Sequence, residues 1–385
     1  MENNRALENN IKTLQTPCYV CEEELLKNNL KLLKYVKDKS GAKILLALKG
    51  FAFSPLMPLV MEYLDGCCAS GLYEAKYAKD FKAKEIHTYS AAFKNEEFDE
   101  ICKLSNHIVF NSINQYKTLK DKTLEKNSLG LRINPQVSTV SHDIYNPCAI
   151  NSRLGITKNT LEEELKNNKT LLDNIEGFHF HALCEQDSSD LATVLEQFKK
   201  DFSKYFKDLK WLNFGGGHHI TRDNYDVELL IKLIKDIKYS YPHLQIYLEP
   251  GEAIGWRTGT LVATVLDIVN NGEDIAILDT SAEAHMSDTI IMPYKADVRD
   301  TNDSYKYSYI LAGNTCLAGD IMGTYKFKEP LQISSKIIFE DMIHYTIVKN
   351  TTFNGIKLPN LAVLTSNGNI EVKKEFGYEE YKRRN

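Results

Sequence analysis

The amino-acid sequence predicts an α/β protein, in which a (β/α)8 TIM-like barrel is followed by a second, all-β C-terminal domain. Eight short apolar runs alternate with amphipathic segments between residues 20 and 250, and this alternation is typical of parallel strands joined by helices. After residue 256 the apolar runs are β-rich, are separated by Gly and Asn-Gly turns, and show little helical periodicity. With 385 residues, the chain is long enough to bury both cores.

The barrel strands are predicted from short runs of apolar and β-branched residues. These runs cover residues 43–48, 66–70, 85–90, 107–111, 129–134, 175–181, 211–215 and 245–249. The segments between them carry helical signals. Segment 22–38 has acidic residues in its first turn and lysine in its last, and one helical face is expected to carry Leu25, Leu32, Leu33 and Val36. The connection 135–159 is too long for an ordinary barrel loop, so we expect a functional flap or local structure there.

The second domain is predicted from four β-rich runs, which cover residues 258–269, 274–280, 305–313 and 336–348. The N-terminal segment 16–20 is also strand-like, and we expect it to pair with this domain instead of the barrel. We therefore assign residues 22–255 to the barrel. Residues 1–21 and 256–385 form the β-rich domain in this interpretation.

The composition favours a small-molecule partner. The chain has 47 Lys and Arg against 52 Asp and Glu, a net charge of −5 with the signs interspersed, so no basic surface for nucleic acid or an anionic membrane is predicted. The first ten residues are polar and no run of 18 apolar residues occurs, so we expect a cytoplasmic protein without a signal peptide or membrane span. The eight scattered cysteines are expected to be free thiols.

Unusual residues fall at the predicted carboxyl ends of the strands, where barrels of this kind carry their chemistry. These positions hold Lys49, Arg132, Asn134, His179, His181, Gly215, Gly216, Gly217, Glu249 and Gly251. Lys49 is flanked by apolar residues in ALKGF. We therefore expect desolvation to favour its neutral amine, which suits Schiff-base chemistry.

The glycines predict a phosphate site. Gly216 and Gly217 follow the seventh barrel strand and Gly251 follows the eighth, where backbone N–H groups without a Cβ can approach phosphate oxygens. A phosphate cradle, the amine of Lys49 and the carboxylate of Glu249 together describe a pyridoxal 5'-phosphate site. In that site the carboxylate would keep the pyridine nitrogen protonated, which makes the ring an electron sink.

Two histidine-containing motifs, HFH and GGGHH, raise the alternative of a metal site. We expect at most one of His179 and His181 to face the barrel mouth, which leaves too few ligands for a metal ion. The sequence therefore predicts no metal centre.

Seven motifs in order resemble the alanine-racemase-fold decarboxylases that use pyridoxal phosphate, a family that includes ornithine, diaminopimelate and carboxynorspermidine decarboxylases. They are ALKGF, GFHFHALCE, LNFGGG, EPG, GNTCLAGD, HYT and TFNG, and they span nearly the whole chain. The resemblance implies that Lys49 binds the cofactor aldehyde, His181 stacks on the ring and Glu249 pairs with the pyridinium. It places Arg132 near the 3'-oxygen. The implied phosphate contacts are Gly216, Gly217, Gly251 and Tyr345.

The same resemblance implies a homodimer with shared active sites, in which Cys316 of one subunit returns a proton to the α-carbon after carbon dioxide leaves the other subunit's substrate. Within the family, EPGEAIGW, HALCE and LDTSAEAHMSDTIIMPY are most similar to the carboxynorspermidine decarboxylase branch. Glu252 replaces an Arg found in many relatives, and Leu317 replaces an acid. Lys295 stands where ornithine decarboxylases carry the acid for the distal amine, so ornithine is expected to be a poor substrate.

We therefore expect decarboxylation of carboxynorspermidine or carboxyspermidine, as a step of polyamine biosynthesis. The ammonium groups of such a substrate require carboxylates, and an apolar wall is expected from Phe353. The candidate carboxylates are Glu252, Glu283, Asp288 and Asp320. Diaminopimelate decarboxylase or another basic amino-acid decarboxylase remains an alternative, with Arg153 or Arg257 for a distal carboxylate. A racemase, a non-catalytic pyridoxal-phosphate carrier and a structural protein are lesser alternatives.

Overall fold

The structure is a computed structural model that describes residues 10–385. The described chain forms two compact units. One unit consists of Asn29–Gly50 and Met57–Ile254 and holds the barrel. The other contains the N-terminal strand, the short segment Phe51–Leu56 and the chain from Gly255 onward. Residues 1–9, which the sequence assigned to the β-rich domain, lie outside the described residues.

Eight parallel strands close into a barrel, which confirms the fold predicted from the sequence. The barrel strands are β2 (Lys43–Ala47), β3 (Gly66–Ala69), β4 (Glu85–Ser90), β5 (His107–Phe110), β6 (Ser128–Arg132), β7 (Gly177–His179), β8 (Trp211–Asn213) and β9 (Gln245–Leu248). Strand β9 pairs with β2, where Leu248 is opposite Ile44, and this pairing closes the ring.

Helices precede, connect and follow the barrel strands. They are α1 (Glu23–Ser40), α2 (Met57–Tyr63), α3 (Leu72–Asp80), α4 (Asn95–Leu104), α5 (Ile113–Leu119), α6 (Lys158–Asn167), α7 (Ser188–Phe202), α8 (Val227–Ser240) and α9 (Glu252–Gly255). Helix α1 illustrates why they form: Leu26, Leu30 and Leu33 are fully buried on one face, and the first turn is acidic. Of the predicted face, Leu33 and Val36 are buried, Leu32 is partly buried and Leu25 is exposed.

The second unit is built on a mixed sheet in the order β13-β12-β11-β10-β1-β15-β16, with β14 paired to β10. Its strands are β1 (Cys18–Glu22), β10 (Gly259–Asn271), β11 (Glu273–Leu278), β12 (Tyr307–Ala312), β13 (Ile321–Phe327), β14 (Lys336–Phe339), β15 (Asn360–Leu364) and β16 (Ile370–Lys374). The N-terminal strand β1 runs antiparallel to β10 and parallel to β15. The predicted pairing of this segment with the C-terminal domain is thus present.

The structure departs from the predicted elements in the β-rich half, where strands β13, β15 and β16 lie outside the four predicted runs. The run 336–348 is a strand only as far as Phe339 and includes a short 3-10 turn at Thr346–Val348. The β-rich half also contains three short helices, α10 (Ala282–His285), α11 (Asp288–Ile291) and α12 (Tyr378–Arg384). The long connection after β6, where a functional flap or local structure was expected, contains a 3-10 turn at Asp143–Tyr145. Across residues 10–385, no helix is long and apolar enough to cross a membrane.

Candidate active site

Lys49 lies in the turn that follows β2, at the carboxyl end of the strand. Its side chain is exposed, so the expectation of a desolvated amine was wrong. The reason is its place in the turn 48–50, beyond the apolar barrel interior. Burial, followed by the positive charge of Lys49, holds the pKa of His181 well below its usual range.

Glu249 follows β9 and is only 8% exposed. Its Oε1 accepts a hydrogen bond of 2.6 Å from Nδ2 of Asn213, the last residue of β8. Burial raises the pKa of this carboxyl, but the contacts with His179 and Asn213 outweigh burial and lower the pKa to about 2. Glu249 therefore supplies a fixed negative charge at neutral pH.

Asn213 was missed by the sequence analysis as a site residue. Its side chain is fully buried and works in two directions: Nδ2 donates to Glu249, and Oδ1 accepts the N–H of Gly215 at 2.8 Å. The sequence contained a signal for Asn213. Its amide comes at the end of an apolar strand, as the guanidinium of Arg132 does, and just ahead of a glycine run. Asn213 thus connects the glycine run to the buried carboxylate.

His179 ends β7 and faces the same carboxylate, with Nε2 at 3.4 Å from Oε2 of Glu249. Burial lowers the pKa of His179, and the opposing effect of Glu249 does not overcome it. Because His181 also belongs to this site, the expectation that only one of the two histidines faces it was wrong. Residues two positions apart along an extended chain share a face. His181 lies two positions after His179, just beyond the end of β7, so both side chains face the same way.

His181 is partly buried, and its Nδ1 accepts the N–H of Gly216 at 2.9 Å. Burial, followed by the positive charges of Lys49 and Arg132, holds the pKa of His181 well below its usual range. A neutral imidazole that accepts at Nδ1 carries its proton on Nε2. The ring is therefore an uncharged aromatic surface with a defined tautomer.

Arg132 ends β6 and is 5% exposed. Its guanidinium donates a long hydrogen bond of 3.4 Å to the backbone oxygen of His181 and lies 4.6 Å from the centre of the Tyr89 ring. Tyr89 lies near the carboxyl end of β4 and was not predicted as a site residue. These contacts bring a buried cation to the same edge as Glu249 and His181.

The glycine run is required by close packing of the loops that follow β7, β8 and β9. A Cβ on Gly217, whose φ is +82°, would lie 2.1 Å from the backbone oxygen of Leu183. On Gly216 it would lie 2.4 Å from the backbone oxygen of Glu249. Gly251 packs against the Lys49 turn, where a Cβ would lie 3.1 Å from the Cα of Gly50. A larger residue at Gly216 or Gly217 would displace backbone, and one at Gly251 would make a tight contact.

Cys316, Phe353 and Tyr345 belong to the β-rich unit. Cys316 is exposed, and its backbone N–H donates to Oδ1 of Asn354 at 2.5 Å, which brings the thiol's loop beside the turn that carries Phe353. Phe353 is 43% exposed. Tyr345 is partly buried, and Nζ of Lys349 lies 5.4 Å from the centre of its ring.

The two aspartates proposed for substrate binding have partners within the protein. Asp320 is 2% exposed; its Oδ1 accepts the N–H of Ala282 at 2.7 Å, and its Oδ2 accepts the hydroxyl of Thr315 at 2.6 Å. These bonds hold the start of α10, which favours a structural role for Asp320. Asp288 forms an ion pair of 2.6 Å with Lys349.

The two glutamates proposed for substrate binding differ from these aspartates. Oε2 of Glu283 is buried and has no hydrogen-bond partner among residues 10–385. Such an oxygen carries an uncompensated desolvation cost, which a ligand cation would offset. Glu252 is partly buried in α9 and belongs to the barrel unit. Glu283 is thus a predicted acid with a buried oxygen that has no hydrogen-bond partner in the described part of the chain.

One group of residues, at the opposite end of the barrel strands, has the composition of a metal site within the described chain: Glu85, His87 and His107. The two histidine rings stack with centroids 3.8 Å apart and planes 13° apart. A metal ion lies in the plane of each imidazole that binds it. The planes of these two stacked rings are nearly parallel and do not meet near the rings, so one ion cannot bind both histidines in this arrangement. Glu85 is also ion-paired with Lys43 and accepts the hydroxyl of Tyr247 at 3.1 Å. The geometry favours a packed polar cluster.

The donor set at the carboxyl ends of the barrel strands fits pyridoxal 5'-phosphate. It combines the amine of Lys49, the ionised carboxylate of Glu249, the neutral ring of His181 and the guanidinium of Arg132. The amine matches an aldehyde, and the carboxylate matches a protonated pyridine nitrogen. The residues present are therefore those that the cofactor's chemistry requires.

Comparison with known proteins agrees with this chemistry. The carboxynorspermidine/carboxyspermidine decarboxylase of Campylobacter jejuni is 54% identical over 385 residues, which cover 97% of this chain and 99% of that protein. A carboxyaminopropylagmatine decarboxylase of Synechocystis is 41% identical over 97% of this chain and 96% of its own length. The crystal structure of carboxynorspermidine decarboxylase complexed with norspermidine, from Campylobacter jejuni, has a TM-score of 0.89 and 52% identity, covering 97% of this chain and 100% of that chain.

The family model described as pyridoxal-dependent decarboxylase, C-terminal sheet domain, matches residues 18–343. This range includes the whole barrel and the larger part of the second sheet. The resemblance drawn from the sequence motifs is confirmed, and so is the cofactor that it implied. The chain belongs to the pyridoxal-dependent decarboxylases and is a carboxy-lyase that uses pyridoxal 5'-phosphate.

Proposed function

We propose that this decarboxylase acts on carboxynorspermidine and carboxyspermidine and releases norspermidine and spermidine. The observation that carries the proposal is the likeness to the Campylobacter jejuni enzyme of that name, which is 54% identical and is covered over 99% of its length. The solved structure with norspermidine, with its TM-score of 0.89, supports the same product class. Norspermidine and spermidine are polyamines, so this substrate class has several ammonium groups for the protein to bind.

The test is release of carbon dioxide from purified enzyme loaded with pyridoxal 5'-phosphate. Carboxynorspermidine, carboxyspermidine, carboxyaminopropylagmatine and diaminopimelate are compared at equal concentration. We expect the first two to be turned over with the highest kcat/KM. Preference for carboxyaminopropylagmatine, the substrate named for the Synechocystis relative, would replace the proposal with that second candidate. Turnover of diaminopimelate alone would contradict both.

Four residues of the barrel mouth are proposed to hold the cofactor. When bound, pyridoxal 5'-phosphate supplies an electron sink for the charge left by the departing carboxyl group. Lys49 provides the amine for the aldehyde, and Glu249 holds the proton on the pyridine nitrogen. The neutral ring of His181 packs on the cofactor face, and Arg132 binds near the 3'-oxygen. The proposed phosphate contacts are Gly216, Gly217, Gly251 and Tyr345.

The role of Glu249 is tested by Glu249→Gln, which keeps the shape and removes the charge. We expect turnover to fall by on the order of a hundredfold or more, because a preorganised charge acts where charge develops in the reaction. Glu176→Gln is the matched control, since Glu176 is partly buried and bonded to Ser128 and Lys210 at the other end of the strands. Full turnover by the Glu249 variant would remove the electron-sink assignment.

Cys316 is proposed to return the proton to the α-carbon, across the interface of a homodimer. Its exposure and its place beside the Phe353 turn support a role at a surface that a second subunit reaches. Lys49→Ala and Cys316→Ala variants should each be nearly inactive. If each site combines residues from both subunits, mixing and re-equilibrating the two variants should restore about a quarter of the activity. No recovery in heterodimers verified by mass would contradict the shared site.

Glu283 is proposed as the main contact for a substrate ammonium group, with Glu252 and Asp288 as further acidic contributors and Phe353 as an apolar wall. The buried, unpartnered Oε2 supports this assignment. Glu283→Gln should raise KM for carboxynorspermidine by about tenfold or more, since a charged hydrogen bond contributes about 1.5–3 kcal/mol. Cofactor affinity should not change. An unchanged KM would remove Glu283 from the proposed substrate site.

A further inference from the structure

Two polar residues at the carboxyl ends of β4 and β5 lie behind the proposed cofactor contacts. The hydroxyl of Tyr89 donates a hydrogen bond of 2.7 Å to Oδ1 of Asn111. Asn111 is 8% exposed, directly after the last residue of β5. Neither residue was predicted from the sequence, and neither has a role in the proposed chemistry.

The side-chain amide of Asn111 also holds the end of the long connection after β6. Its Nδ2 donates to the backbone oxygen of Arg153 at 2.9 Å, and its Oδ1 accepts the N–H of Gly155 at 2.8 Å. Gly155 packs against Arg132: a Cβ on this glycine would lie 3.2 Å from Cγ of the arginine. One amide therefore fixes both the Tyr89 hydroxyl and the turn that supports the aliphatic part of Arg132.

The ring of Tyr89 supports the charged end of the same arginine. The guanidinium carbon of Arg132 lies 4.6 Å from the ring centre, and the ring also contacts His179 at a centroid distance of 5.7 Å. Burial raises the pKa of Tyr89, while the charges of Arg132 and Arg153 oppose this effect, so the phenol is neutral and can donate to Asn111. The arginine is held from two sides by groups that depend on Asn111.

We infer that Tyr89 and Asn111 are positioning residues that preorganise Arg132 for the cofactor. The inference rests on the proposed contact between Arg132 and the cofactor's 3'-oxygen. Tyr89 acts through the guanidinium, and Asn111 acts through Tyr89 and the turn 153–155. Their loss leaves the charge of Arg132 in place but lets the guanidinium occupy other positions, which weakens cofactor binding.

The experiment is titration of the apo form of the full chain with pyridoxal 5'-phosphate, followed by visible absorbance. Tyr89→Phe keeps the ring beneath Arg132 and removes the hydroxyl; we expect it to weaken cofactor binding by about five- to tenfold. Asn111→Asp keeps the acceptor oxygen and removes the donor to Arg153; a loss of at least the same size is expected. Tyr35→Phe is the control, because that exposed hydroxyl donates to Glu228 at the same 2.7 Å and should have no effect.

A double-mutant cycle separates positioning from a general loss of stability. In an Arg132→Ala background, Tyr89→Phe should change cofactor affinity by less than about twofold, because the group it positions is absent. An equal loss in both backgrounds, or no loss in the wild-type background, would overturn the inference. The titration uses no substrate, so its outcome does not depend on whether the enzyme accepts carboxynorspermidine. An Arg132→Ala variant with normal affinity would overturn the arginine contact itself, and the inference with it.

Discussion

The contact between Asn213 and Glu249 leads to a pH-dependent prediction. Asn213→Asp keeps the oxygen that accepts the Gly215 N–H, but it replaces the donor 2.6 Å from Glu249 by a second carboxylate oxygen. Two ionised carboxylates at that distance repel each other by about 6 kcal/mol at an effective dielectric constant of about 20. About 1.4 kcal/mol corresponds to one pKa unit. Starting from a pKa of about 2 for Glu249, the pair should therefore keep one shared proton up to about pH 6.

The shared proton makes the stability of this variant depend on pH. Because the folded-state pKa of the pair, about 6, lies above the ordinary carboxyl value of about 4, the folded state binds more protons between these values. The contribution of the pair is fully present below about pH 4 and is lost as the pH rises through about 6. Two pKa units correspond to a loss of about 3 kcal/mol in the free energy of unfolding.

Thermal midpoints of the variant and the wild type, measured from about pH 5 to about pH 8, check this prediction. The variant's midpoint should fall by several degrees relative to the wild type as the pH rises. Asn213→Ala is the control: it also loses the bond to Glu249 but adds no carboxylate, so its deficit should not grow with pH in this way. A deficit in the aspartate variant that stays constant across the range would refute the buried contact between Asn213 and Glu249.

Two further predictions concern the stability of the fold. Gly217→Ala should reduce the free energy of unfolding by about 2–4 kcal/mol, because it adds a backbone clash to the strain of a positive φ. Gly272→Ala, with a similar φ of +84° and no heavy atom within 4 Å, should cost only about 1 kcal/mol; equal losses in melting experiments would contradict the packing argument. Burial raises the pKa of Glu85, but the bonds from His87 and Lys43 outweigh burial and lower the pKa to about 2. The ionised carboxylate therefore stabilises the folded state above a pH of 4.5, and this stabilisation is lost as the pH falls towards 2. Glu85→Gln should therefore melt below the wild type at neutral pH, and the difference should shrink as the pH approaches about 3.

The barrel could be predicted from the sequence because each strand is a short apolar run with turn signals at its ends. Buried parallel strands have this pattern whatever surrounds them. The end of the run at 336–348 could not be read in the same way: the sequence stays apolar past Phe339, but the pairing with β10 stops there. Burial, rather than strand pairing, accounts for Met342 and Ile343.

The residues at the strand ends were partly predictable. Arg132, His181 and Glu249 stood out because charged or ionisable groups are unusual after apolar strands. Asn213 and Asn111 did not, since an amide is uncharged and its role depends on partners from neighbouring strands or from a distant turn. These partners are brought together only by closure of the barrel, and periodicity along one strand carries no information about them.

On two barrel strands, the residue that packs in the interior and the polar residue of the candidate site are two positions apart. Its apolar layer consists of Leu45, Val109, Trp211 and Tyr247. Asn213 follows Trp211 by two positions and Glu249 follows Tyr247 by two positions, so the chain at β8 and at β9 directs a polar side chain to the same side as the residue that fills the interior. The layer beneath offers Glu249 few polar partners. Its partners are instead Asn213, at the end of the neighbouring strand β8, and His179, at the end of β7, one strand further on.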